Sequence, residues 1–213
     1  AKNGRRDIDH DFGTNPCSEI ILRSAQVCNL SEVVIRATDT PQKLKRKIEL
    51  AAILGTLQSS LTDFRYVRSI WTKNTKEECL LGVSMTGIMD NTILSGNEYS
   101  TEDLGKLLEN LKQVAVDANK EYAALLGINQ STAVTAVKPS GTVSQLVDSA
   151  SGIHARFSPY YIRRVRSDGK DPISEFLKAE GIPWEKDVMN EDNYVFSFPM
   201  KAPEGAISVD DLD

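Results

Sequence analysis

Gly13-Thr14-Asn15-Pro16-Cys17-Ser18-Glu19-Ile20, with a further cysteine at Cys28, is the stretch around which the rest of the chain reads. An amide, a thiol and a carboxylate stand at alternate positions, so an extended segment points Asn15, Cys17 and Glu19 to one side. Pro16 favours that state, because its ring fixes its own φ and drives Asn15 out of the α region. Short apolar runs follow, Ile20-Ile21-Leu22 and then Leu30 with Val33-Val34-Ile35. They predict buried strands and leave both cysteines near strand ends. Taken alone, a cysteine between polar loop residues is more often an unreactive surface or half-buried thiol than a catalyst.

Downstream, Thr40-Pro41 is a helix start, and Leu44, Ile48, Ala51, Leu54, Leu57, Leu61 and Phe64 recur at helical spacing. That pattern predicts one amphipathic helix to about residue 68, with Lys43, Lys45, Arg46 and Lys47 on a solvated face. The run from Glu77 to Gly87 moves from a charged turn into a buried strand feeding a loop, and Cys79 beside two acids reads as structural. Ser100-Thr101-Glu102-Asp103 forms a capping box for a second long helix, whose buried stripe runs from Leu104 and Leu107 to Tyr122 and Leu125 and which Gly127 ends.

Thr132-Ala133-Val134-Thr135-Ala136-Val137 predicts a strand, and Lys138-Pro139-Ser140-Gly141-Thr142-Val143-Ser144-Gln145 a turn opening a short helix. Backbone N–H groups at such a start point outward and favour anions, and Ser140, Thr142 and Ser144 add hydroxyls. Gly141 lets the backbone approach a ligand closely. The second glycine and following lysine of a P-loop are missing, and an ordinary capped helix start fits the same residues. Further on, Tyr160 to Arg166 alternates β formers with arginines; with His154 these could reach a polyanion, and an edge strand defended by charge explains Arg163, Arg164 and Arg166 equally well. Asp171-Pro172 opens a short helix through Leu177, and Tyr194 to Pro199 is another strand. Strands alternating with helices predict an α/β fold built on a mainly parallel sheet or barrel.

The 213 residues can bury a substantial core, and 26% charged against 40% hydrophobic residues is the balance of a water-soluble protein. A net charge of −5 provides no global basic field, which argues against a nucleic-acid partner. Three cysteines do not make a disulfide scaffold, so a reducing cytoplasmic setting is expected. No apolar run has membrane-spanning length, and the first residues lack the core of a signal peptide. A start without methionine and an acidic end predict that the chain belongs to a longer or split polypeptide.

Taken together, Asn15-Pro16-Cys17-Ser18-Glu19-Ile20, Cys28-Asn29-Leu30, Leu80-Leu81-Gly82-Val83-Ser84-Met85-Thr86-Gly87-Ile88-Met89-Asp90 and Pro139-Ser140-Gly141-Thr142 resemble the catalytic subunit of ribonucleotide reductase. The class that uses adenosylcobalamin matches best, since the interval from Cys17 to Cys28 is short. The resemblance covers nearly the whole chain and implies the second half of a ten-stranded α/β barrel. Residues 1–40 would carry a finger loop and flanking strands, 41–150 helix-strand repeats with the phosphate turn, and 151–213 a terminal strand-helix-strand segment.

The same resemblance implies roles. Cys17 would be the thiyl radical that takes the 3′ hydrogen of a ribonucleotide, Glu19 would accept the 3′ hydroxyl proton, and Asn15 would bind the substrate hydroxyls. Cys28 would be one of two reducing thiols, its partner lying upstream. Pro139, Ser140, Gly141, Thr142, Val143 and Ser144 would hold the phosphates of a ribonucleoside di- or triphosphate, and no metal is expected. A thioredoxin-type dithiol would reload the thiols, and the remaining half of the reductase would be an obligate partner, so the chain alone should be inactive. The chemistry is consistent with the residue types, because an S–H bond is comparable in strength to the ribose C–H bond and a nearby carboxylate supplies general-base help.

Three other readings stand beside it. One is the oxygen-dependent reductase class, whose radical comes from another subunit. Another is a thiol enzyme with Cys17 as nucleophile and His154 as its base. The last is a non-catalytic binding or assembly module that keeps only the phosphate turn.

Overall fold

Two short antiparallel strands, β1 (Phe12–Thr14) and β2 (Ile21–Arg23), bracket the opening motif as a hairpin in the computed structural model, which describes residues 6–212. Residues 1–5 and 213 lie outside the described residues. β3 (Leu30–Val34) then pairs in parallel with β4 (Gly82–Thr86), with Glu32 opposite Ser84. Residues 133–136 lie parallel along the far side of β4. Leu81 N–H donates to Ala133 O, Val83 N–H to Val134 O, and Ala136 N–H to Val83 O. The strand read at 132–137 is therefore present as a short parallel partner.

One face of this layer is covered by α1 (Pro41–Ser59) and α3 (Thr101–Leu126), and the core lies between, from Val33, Ile35 and Val83 to Leu44, Ile48, Leu107 and Leu111. Both helices start as their caps dictate: Thr40 Oγ1 accepts from Lys43 N–H, and Ser100 Oγ from Asp103 N–H. Gly127, at φ 66°, ends α3 in the left-handed conformation.

The first helix stops at Ser59, not near residue 68, and α2 (Ile70–Glu78) follows after an irregular link. At the break, Ser59 and Ser60 turn their hydroxyls back onto Thr56 O and Leu57 O, a local competitor to helix continuation. The buried stripe also differs from the one expected. Leu54 and Leu57 are exposed, while Ala52, Gly55, Thr56 and Ser59 face inward. A Cβ on Gly55 would sit 2.1 Å from Leu81 Cδ1, so α1 approaches the sheet through its smallest side chains. On α3, Asn119 donates to Thr56 Oγ1 at 2.9 Å and Ser131 Oγ at 2.8 Å, which joins both helices to the segment leading into 133–136.

After α4 (Thr142–Leu146), the chain builds a separate sheet in the order β5-β7-β6. It comprises β5 (Tyr160–Asp168), β6 (Trp184–Lys186) and β7 (Asn193–Lys201), with α5 (Pro172–Ala179) between the first two. This sheet is antiparallel, which corrects the mainly parallel expectation for the C-terminal third. β5 is an edge strand, in keeping with its alternating arginines. No helix among the described residues is long and apolar enough to cross a membrane.

Candidate active site

The opening motif is not extended. Ser18 N–H donates to Asn15 O at 2.9 Å and Asn15 N–H to Ile20 O at 3.2 Å, so residues 15–20 fold into the tight loop of the β1–β2 hairpin. Ser18 takes φ 64°, a left-handed conformation that non-glycine residues rarely adopt. The loop still gathers the expected side chains, through hydrogen bonds in place of strand alternation. Asn15 Nδ2 donates to Glu19 Oε1 at 2.6 Å, and Asn15 Oδ1 accepts from Ile20 N–H at 3.0 Å. Much of the amide is therefore engaged within the loop.

A fourth residue completes the cluster. Lys138 Nζ lies 3.0 Å from Glu19 Oε1 and 3.3 Å from Cys17 Sγ. Glu19 Oε2 is buried and has no hydrogen-bond partner among the described residues, while Cys17 is exposed at the loop tip. A cavity of about 610 Å³ opens beside Glu19, walled by Val83, Met85, Leu108 and Val137.

Burial pushes the Glu19 carboxyl up, but the hydrogen bond from Lys138, a backbone amide and Asn15 outweigh it and hold the group below the usual carboxylate range. Lys138 is raised in turn by its bonds to Glu19 and Cys17. Half-buried Cys28 is pushed up by burial and then by the Glu19 charge, so it stays a thiol at neutral pH. Cys17 and Cys28 carry free thiols. Buried Cys79 ends α2 with φ 43°, and its Sγ lies 3.2 Å from Lys76 O, a structural position.

Behind the hairpin, Arg6 grips Glu78 through two hydrogen bonds of 2.9 and 2.8 Å and donates to Ile21 O at 3.0 Å. Gln26 Nε2 adds a third donor to Glu78 at 2.6 Å. Burial raises the Glu78 carboxyl, yet Arg6 and Gln26 hold it below its ordinary range. This network anchors the hairpin base to the end of α2.

The turn at 138–144 runs past the same cluster. Lys138 N–H donates to Ser84 Oγ at 3.0 Å, and the Lys138 side chain leaves towards the hairpin. Ser140 is buried, its carbonyl accepts from Ser151 Oγ, and its own hydroxyl has no partner among the described residues. Nothing lies within 4 Å of a Cβ built on Gly141, so the backbone is open there. Thr142 and Val143 are exposed. Ser144 is fully buried and donates to Gly141 O at 2.6 Å, so it serves the turn and not a ligand. α4 has five residues, too few for an appreciable dipole, and the backbone amides and Ser140 are what the turn offers. Pro139, Ser140, Gly141, Thr142 and Val143 line a cavity of about 400 Å³ together with Lys138, Ser84 and Glu32, whose Oε1 is buried with no partner among the described residues.

The loop after the turn is held by Arg156. Its Nε and Nη2 each meet a carboxylate oxygen of Asp90 at 2.8 Å, Nη1 reaches Asp148 Oδ1 at 3.1 Å, and both Arg156 and Asp90 are buried. Asp90 Oδ2 also accepts from Ala150 N–H at 2.8 Å. His154 is exposed, with Nδ1 2.9 Å from Ser151 O, and no hydrogen bond among the described residues joins it to Cys17. No contact among the described residues supports it as a base for that thiol. No group of three or more His, Cys, Asp or Glu among the described residues is arranged to hold a metal.

Sequence reasoning passed over Lys138, Glu32 and Arg156. Lys138 had a local signal, since Pro139 forces the residue before it into an extended conformation, but its partners lie far upstream.

No protein-family model matches the chain. Among curated proteins, the adenosylcobalamin-dependent ribonucleoside-triphosphate reductase of Lacticaseibacillus paracasei is 34% identical over 94% of this chain. That of Lactobacillus leichmannii is 33% identical over 92%. A crystal structure of a B12-dependent, class II ribonucleotide reductase superposes with a TM-score of 0.75 at 29% identity, over 91% of this chain. The chain belongs to the class II ribonucleotide reductase family. It spans 29% of the length of those two curated relatives and 30% of the solved chain. For a ribonucleotide reductase sequence, the described residues form an open parallel layer with flanking helices, which corresponds to part of the family's barrel.

Proposed function

We propose that these 213 residues supply the finger loop and second half-barrel of a ribonucleotide reductase that forms 2′-deoxyribonucleotides by thiyl-radical chemistry. One observation carries the reading: Glu19 keeps one oxygen tied to Asn15 and Lys138 and leaves the other buried, with no partner among the described residues, beside an exposed Cys17 thiol. A buried acceptor without a partner costs about 1–3 kcal/mol, so it marks a place where a donor belongs. The 3′ hydroxyl of a ribose fits that donor when the adjacent C–H faces Cys17.

In this reading, Cys17 exchanges a hydrogen atom with the ribose, Glu19 takes the hydroxyl proton, and Asn15 orients Glu19 first and the substrate second. Cys28, kept protonated by burial and by Glu19, serves as a reducing thiol, with its redox partner and a thioredoxin-type reductant outside these residues. The open backbone at Gly141 and the free Ser140 hydroxyl receive the phosphates. Of the two substrate forms, the triphosphate is favoured by the names of the relatives. The donor set also fits adenosylcobalamin, since the exposed Cys17 sulfur can be met from outside the hairpin. When bound, that cofactor supplies a carbon-centred radical able to take the thiol hydrogen. The free thiols of Cys17 and Cys28 suit a cytoplasmic location.

The test is nucleotide reduction by a polypeptide carrying this stretch in full-length context, with adenosylcobalamin and a dithiol. Cys17→Ala should abolish turnover, and Glu19→Gln should lower it by about 10²–10⁴-fold. Full turnover by the Cys17→Ala protein, or turnover that needs a metal-oxygen subunit and no cobalamin, would reject the reading.

A further inference from the structure

We propose that Lys138 is the positioning residue of this site: its ammonium ties the Glu19 carboxylate to the Cys17 thiol and its backbone registers both against the turn at 139–144. The inference rests on the function proposed above for the same cluster. It stands on the geometry first. The Lys138 N–H is fixed to Ser84 Oγ on β4, Pro139 holds the following peptide, and the side chain crosses to the hairpin to meet Glu19 Oε1 at 3.0 Å and Cys17 Sγ at 3.3 Å. Glu19 is 5% exposed and the Lys138 side chain 26%, so this contact is shielded from water in a way that surface pairs are not.

Among the described residues no other cation replaces it. The groups facing Glu19 are Asn15 and Cys17 from its own loop, Cys28, Lys138, and Glu109 with Lys112 from α3 across the cavity. Lys112 lies 3.6 Å from Glu109, so that pair is mutually neutralised. Without Lys138, burial acts on Glu19 opposed only by its backbone amide and the neutral Asn15 amide, and the carboxyl is protonated at a higher pH. A protonated Glu19 cannot accept the hydroxyl proton. The same ammonium fixes the direction of a thiol that is otherwise exposed at the tip of a turn. An ammonium has three donors, and Glu19 and Cys17 use two, which leaves one for an oxygen of the substrate. A single residue thus sets the ionisation of the base, the direction of the thiol and their distance from the phosphate turn.

The experiment compares Lys138→Met, Lys138→Gln and Lys138→Arg. In the 213-residue chain, the Glu19 side-chain carboxyl is followed by carbon NMR through a pH titration. The neutral variants should move its midpoint upward, and Lys138→Arg should keep it near wild type. In the full-length context, either neutral variant should lower kcat by about 10²-fold with a smaller change in KM and shift the acid limb of the pH profile upward, while Lys138→Arg restores the limb. An unmoved Glu19 midpoint in a folded neutral variant, or an arginine variant as damaged as the neutral ones, would overturn the proposal. The NMR titration is independent of turnover. A moved midpoint with no nucleotide reduction by the wild-type polypeptide supports Lys138 while sinking the function, and the converse result sinks Lys138 alone.

Discussion

Replacing Arg156 by methionine isolates the buried ion pair that holds the loop behind the phosphate turn. Both side chains are 3% exposed, two hydrogen bonds of 2.8 Å join them, and Asp90 would be left with the Ala150 amide as its one remaining donor among the described residues. Removing one partner of such a pair costs about 3–5 kcal/mol, because a charge stays buried without its counter-ion. Whole domains hold about 5–15 kcal/mol, so a large share of the stability should go. At a urea slope of about 2 kcal/mol/M the midpoint should fall by about 2 M. The double variant Asp90→Asn with Arg156→Met keeps an acceptor for Ala150 N–H and removes the stranded charge. It should recover more than half of the loss, since a neutral replacement of similar volume is often tolerated. The assay is equilibrium urea unfolding of the three proteins at neutral pH. A cost below about 1 kcal/mol for Arg156→Met, or a double variant no more stable than the single one, would refute the claim that the unpaired carboxylate dominates.

Two further outcomes follow from the packing and the charges. Glu78 is held below its ordinary range by Arg6 and Gln26, so the stability it contributes is present above the unfolded carboxyl value and is lost as pH falls through the depressed folded one. Glu78→Gln should therefore be least stable relative to wild type near neutrality, with the gap closing on acidification in thermal melts; a gap that is constant with pH argues against this. Gly55→Val places a side chain where a Cβ already sits 2.1 Å from Leu81 Cδ1, and should cost about 1–3 kcal/mol in urea unfolding. Adding Leu81→Ala should recover part of that cost, and no recovery would mean that the clash is not the cause.

Local chemistry was the readable part of this chain. The second helix announced its start through Ser100 and Asp103 and its end through Gly127, because caps act within one turn of the backbone. The first helix showed its start but hid its end, since Ser59 and Ser60 break it with short-range hydrogen bonds that apolar periodicity does not register. Its inward face was misread for a physical reason: close approach to the sheet selects Ala52 and Gly55, while a count of large apolar residues selects Leu54 and Leu57. The motif at residues 15–20 named the right side chains and the wrong backbone, because the left-handed Ser18 has no glycine to advertise it. Lys138 met Cys17 121 residues upstream, and no local pattern carries such a contact.

The two arginine–carboxylate pairs, one buried and one part-buried, explain how such loops keep their shape. Arg6 and Glu78 stand behind the hairpin, where Ser18 takes φ 64° in the loop and Ala25 φ 55° just beyond it, and Arg156 and Asp90 stand behind the loop that follows the turn, where Asp148 takes φ 45°. A left-handed non-glycine residue costs about 1–2 kcal/mol and persists only when its surroundings over-determine it. Apolar side chains could supply comparable stability, but they pack without direction, whereas a forked guanidinium fixes both the distance and the plane of its partner. Each pair also reaches the backbone of the loop it supports, Arg6 at Ile21 O and Asp90 at Ala150 N–H. Lys138 then spans from one supported loop to the other. Because its two anchors are each held from behind, its distances to Cys17 and Glu19 are set by two rigid frames, and a change in either ion pair should reach the thiol through it.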